Sequence, residues 1–117
     1  MILFKYPEKA REFASLDIRV VRIVQIIEAI YWWKWMEPIV ITEVFRNDTQ
    51  SPHKYWRAVD IAIPAKAGEA GANLVRAVIN QLFPYGVAGY ETVPDIEHGD
   101  SPHLHCQVPP TVGTGTK

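Results

Sequence analysis

Residues 51–61 read SPHKYWRAVDI, and how this stretch divides decides the fold. Its first half, with RNDTQ at 46–50 before it, is polar and rich in turn formers, so it reads as a loop. From Arg57 onward RAVDIAI is apolar and β-branched, the composition of a short strand, and Pro64 closes it. His53 therefore falls at the end of a loop. Asp60 falls inside a strand, between Val59 and Ile61. A carboxylate buried there without a partner would be costly. Arg57, Arg46 or a metal ion are the partners to consider.

Upstream, the segment from Ser15 to Met36 predicts one long helix. Ser15 is the expected cap, with Asp17 in the first turn. Val20, Ile23, Ile27, Ile30 and Tyr31 recur at helical spacing, while Arg19, Arg22 and Glu28 fall on the less buried side. Pro38 stops this helix, and PIVITEVF at 38–45 reads as a strand. Trp32, Trp33 and Trp35 cannot all face one core, so one side of the helix end is expected at the surface or under another part of the chain.

Downstream, AKAGEAG at 65–71 is a small-residue connection. ANLVRAVINQLF at 72–83 predicts an amphipathic helix burying Leu74, Val75, Val78, Ile79 and Leu82. VAGYETV at 87–93 reads as a third strand, PDIEHGDSP at 94–102 as a loop, and HLHCQV at 103–108 as a fourth strand. The expected class is α+β, a small antiparallel sheet with flanking helices. One domain over 1–110 is expected, with residues 111–117 as a frayed tail.

The chain has 117 residues, of which 48% are apolar, enough for one core. A formal net charge of −1 argues against a dedicated nucleic-acid binder. The single cysteine, Cys106, cannot build an internal disulfide. The most apolar window is interrupted by Arg19, Arg22, Gln25 and Glu28, so no stable membrane insertion is expected. The N-terminal residues have too short an apolar run for a signal peptide, which points to a protein held in the cytoplasm until release.

The chemistry concentrates in two places. His53 and Asp60 could reach one ion through a short turn. DSPHLH at 100–105 offers His103 and His105, two apart on a strand and so on one face. Asp100, at the entry to that strand, is placed to serve a metal-bound water as general base. Glu97 is a weaker alternative base, and His98 reads as loop surface. Cys106 alternates with His105 and belongs to the opposite, core face.

The pattern of Ser51, His53, Ala58 and Asp60, followed by Asp100, His103 and His105, resembles the zinc D-alanyl-D-alanine carboxypeptidases and phage L-alanyl-D-glutamate endopeptidases. These share an α+β fold with the hedgehog signalling domain. The resemblance implies His53, Asp60 and His103 as ligands of Zn2+, and Asp100 as catalytic acid/base. It implies Arg46 as a partner of the developing oxyanion, and Ser51 as a partner of a substrate carboxylate. His105 is then a neighbour of the ligands or faces substrate. Glycine is usual in the family at the position of Trp56, which here is expected to shape the cleft. The implied substrate is a peptidoglycan stem or cross-link peptide, as for a phage-like lytic enzyme. Two other classes remain as alternatives. One is a non-catalytic metal-binding or assembly module of the same fold, and the other is a membrane-surface protein using the tryptophan-bearing helix. The oligomeric state is not readable.

Overall fold

A computed structural model describes residues 1–45, 55–83, 88–90, 94–99 and 101–110. Among them lie three helices and five strands: β1 (Ile2–Phe4), α1 (Glu8–Phe13), α2 (Ile18–Trp35), β2 (Ile39–Glu43), β3 (Ala58–Ala62), α3 (Gly68–Leu82), β4 (Asp95–Glu97) and β5 (His103–Gln107). The strands form one sheet in the order β1-β2-β3-β5-β4. The class is α+β, as the sequence predicts.

The sheet is mixed, not purely antiparallel. β1 runs parallel to β2, with Ile2 opposite Ile39, while the other three pairings are antiparallel. The N-terminal strand escapes sequence reading because it is three residues long, too short for an alternation to stand out. β4 lies where the sequence predicts a loop. It is also three residues long, with Ile96 turned to the core between the exposed Asp95 and Glu97. The described part of the predicted third strand, Ala88–Tyr90, is not a strand. The rest of it, like the tail at 111–117, lies outside the described residues.

α2 begins later than Ser15. Asp17 is its cap, with an extended backbone and a side chain that accepts the Arg19 N–H at 2.9 Å. Ser15 instead belongs to the turn that closes α1. The buried stripe of α2 is Val20, Ile23, Val24, Ile27 and Tyr31. α3 buries Gly71, Ala72, Val75 and Ile79, so its face is rotated from the predicted one, and Leu74 and Leu82 are exposed. The cause is close packing. The Trp35 indole meets the edge of Tyr31 and lies over Gly71, so the small residues of α3 turn inward.

Both long helices cover one face of the sheet, where Ile39, Ile41, Val59, Ile61, Leu104 and Cys106 complete the core. Cys106 faces that core, as its alternation with His105 predicts. Burial pushes its thiol pKa well up. The other sheet face carries Asp60, His103, His105 and Gln107. Strand alternation thus sorts the chain into an apolar face under the helices and a polar face that holds the chemistry.

Candidate metal centre

Register brings the polar residues together. Asp60 lies directly opposite His105 across β3 and β5, Ala62 lies opposite His103, and Glu97 of β4 lies opposite His103 on its other side. Cross-strand partners share a face, so three adjacent strands aim these groups at one patch. His105 Nδ1 is 2.8 Å from Asp60 Oδ1 and 3.8 Å from Glu97 Oε1. His103 Nε2 is 3.0 Å from Glu97 Oε1 and 3.6 Å from Asp60 Oδ2. His103 Nδ1 donates to the Ser101 carbonyl at 3.2 Å.

Asp60 is 5% exposed and His105 9%, so the centre of the patch is shielded from water while Glu97 closes it from the sheet edge. Burial lowers the His105 pKa, but hydrogen bonds to Asp60 and Gln107 and the nearby carboxylates outweigh it and leave the imidazole above its ordinary value. One ligand atom each from Asp60, Glu97 and His105 lies within 4.8 Å of the others, so these three residues could hold a metal ion. An imidazole nitrogen and two carboxylates are a donor set that suits a divalent cation such as zinc.

β4 is fastened to α3, which fixes Glu97. Arg76 donates to the Pro94 carbonyl at 2.8 Å and pairs with Asp95 at 3.1 Å, and His98 meets Glu69 at 2.7 Å. At the far side, Lys9 of α1 meets Glu43 at 2.6 Å and Glu12 at 3.0 Å. Those carboxylates also accept the backbone N–H groups of Val44 and Phe45. The end of β2, where the chain leaves toward residues 46–54, is thereby tied to α1. A cleft of about 380 Å3, lined by Lys5, Thr42, Ala62, Ser101, Pro102 and His103 among others, opens beside the patch. A larger groove of about 650 Å3 lies between α2 and α3, on the helical side, lined by Ile26, Ile30, Trp33, Val78, Leu82 and Phe83 among others.

Of the residues singled out from sequence, Asp60, His103 and His105 come together on the patch. His53, Ser51, Arg46 and Asp100 lie outside the described residues. His105, assigned beside the ligands, is the histidine in direct contact with Asp60, while His103 stands nearer Glu97. Glu97, read as loop surface, is a member of the donor set. Its only sequence signal is a short alternation with Ile96 and Asp95. Trp56, expected to shape the cleft, stacks on Phe45 with ring centroids 4.5 Å apart and packs against the core. Its φ of 60° is left-handed, a conformation that favours glycine over a side chain of this size. Trp32 and Trp33 are exposed beside the buried edge of Trp35. No helix among the described residues is long and apolar enough to cross a membrane.

Comparison with known proteins yields no family: no family model matches the chain, and no curated protein matches it.

Proposed function

We propose that the chain is a small zinc-dependent peptidase acting on peptidoglycan stem or cross-link peptides. One observation supports this above the others. The two halves of the sequence pattern, 45 residues apart, meet side by side as Asp60 and His105. In this reading Asp60 and His105 are the strand-borne ligands, and Glu97 closes the described donor set. His53, Asp100, Arg46 and Ser51 keep the roles the resemblance gives them: ligand, acid/base, oxyanion partner and substrate-carboxylate partner.

When bound, zinc supplies Lewis acidity toward a scissile carbonyl and the attacking water. The chain's own residues do the rest. His103, held through its Nδ1–H by the Ser101 carbonyl, presents Nε2 between Glu97 and Asp60, where a proton can be held beside the cleft. The cleft gives an extended peptide access to that nitrogen. The test is hydrolysis of purified peptidoglycan by protein loaded with one equivalent of zinc. Asp60→Ala and His105→Ala are expected to lose both metal and activity. Full hydrolysis by metal-free Asp60→Ala protein would defeat the reading.

A second reading is a metal-binding module without turnover. It is favoured by the direct Asp60–His105 contact, in which each group already satisfies the other. Zinc uptake with no cleavage of peptidoglycan peptides, at any pH between 5 and 9, would select it.

A further inference from the structure

His105 Nε2, the ring nitrogen turned away from Asp60 and Glu97, lies 2.7 Å from the Gln107 side-chain oxygen. His105 and Gln107 are two apart on β5, so their side chains rise from the same face about 7 Å apart at the backbone. Opposite Gln107 stands Ala58, fully buried and small. The Gln107 amide reaches His105 on the ring edge away from the carboxylates.

We infer that Gln107 is the positioning residue of the metal centre: its amide oxygen accepts the His105 Nε2–H and so keeps Nδ1 as the metal-binding nitrogen. This rests on the metal-site reading above. The chemistry follows from the imidazole itself. A neutral imidazole has one N–H and one lone pair, and the acceptor on one nitrogen determines which nitrogen is free to bind a metal. In the metal-free protein both ring nitrogens donate, Nε2–H to Gln107 and Nδ1–H to Asp60 at 2.8 Å. With the Nε2 proton held by Gln107, the Nδ1 proton is the one a bound ion would displace, and that leaves the Nδ1 lone pair beside Asp60 and Glu97. The same contact fixes the ring's rotation, so the ligand is oriented before the ion arrives. Partners that hold a ligating histidine in this way are generally worth ten- to a hundredfold in metal affinity.

The experiment compares zinc affinity, by competition with a chromophoric chelator, for wild type, Gln107→Leu and Gln107→Glu. Gln107→Leu removes the acceptor and is expected to bind zinc about tenfold to a hundredfold more weakly, with unchanged circular dichroism in the metal-free state. Gln107→Glu retains an acceptor oxygen and is expected to stay within a few-fold of wild type. Nitrogen-15 NMR of the histidines in zinc-loaded wild type is expected to show the His105 proton on Nε2. This measurement decides the matter even if Gln107→Leu does not fold. Wild-type affinity in a folded Gln107→Leu, or a His105 that carries its proton on Nδ1, overturns the inference while leaving the metal site intact. A wild type that takes up no zinc overturns both.

Discussion

Asp60 and His105 stand opposite each other on neighbouring strands, their Oδ1 and Nδ1 atoms 2.8 Å apart and both side chains largely out of water. A buried carboxylate and imidazole stabilise each other, and removing Asp60 takes from the largely buried His105 its nearest carboxylate. Asp60→Ala is therefore expected to lower the stability of the metal-free protein by about 3 kcal/mol. Zinc should separate the variants further. Free zinc at about a hundred times its dissociation constant adds about 2.7 kcal/mol to a protein that binds it only when folded. The melting temperature of wild type should rise with zinc, and that of Asp60→Ala should not. Equal shifts in the two would place the ion elsewhere.

Trp56 sits at φ 60° with its ring stacked on Phe45 and its carbonyl accepting the Asp17 N–H at 2.9 Å. Two effects oppose each other at this position. The left-handed backbone costs a side chain about 1–2 kcal/mol, and the packed indole offsets that cost. Trp56→Ala loses the packing and keeps the backbone cost. Trp56→Gly loses the packing and relieves it. Urea denaturation should therefore rank wild type above Trp56→Gly, and Trp56→Gly above Trp56→Ala by about 1 kcal/mol. The reverse order of the two small variants would mean that the backbone is not left-handed there.

The elements that sequence reading finds here are those whose pattern is long or chemically marked. The period of Val20, Ile23, Ile27 and Tyr31 extends through α2, and the run around Asp60 identifies β3 by its β-branched flanks. β1 and β4 are too short to carry a period, so the parallel edge and the Glu97 edge are not visible. Which of His103 and His105 touches Asp60 directly depends on register: both lie on one face of β5, and the pairing across the sheet sets His105 opposite Asp60. The left-handed φ at position 56 is a backbone property, and a tryptophan letter does not reveal it. The rotation of α3 follows from the Trp35–Gly71 contact, which is a tertiary fact.

Asp17 supplies the pH dependence whose sign is plain. Hydrogen bonding from the Arg19 side chain, opposed by burial and aided by the Arg19 backbone N–H, holds its carboxyl below the ordinary value of 3.8. A carboxyl depressed in the folded state contributes stability that is fully present above its unfolded value. That contribution is lost as pH falls through the lower folded value. Wild type should therefore lose stability progressively below about pH 4 relative to Asp17→Ala. At neutral pH the variant should be about 1 kcal/mol less stable, as expected for a lost helix cap. Stability curves for the two proteins that stay parallel from pH 7 to pH 2 would show that Asp17 does not carry this term.

Gly71 is where α3 meets α2 most closely. A Cβ added there would lie 2.4 Å from the Ala67 Cβ and 3.0 Å from the Trp35 ring. Alanine ordinarily favours a helix interior by about 0.5–1 kcal/mol over glycine. Here that gain is opposed by overpacking, which typically costs about 1–3 kcal/mol. Gly71→Ala is expected to be destabilising by about 1 kcal/mol net. The Trp35 indole should shift with it, which its fluorescence and the near-ultraviolet circular dichroism of the Tyr31–Trp35 pair would report. Ala67 caps α3, a position where glycine is tolerated, so Ala67→Gly removes the closer obstruction at small cost. The double variant should recover part of the loss and leave the contact with Trp35. A Gly71→Ala protein more stable than wild type would mean that α2 and α3 are not packed this tightly.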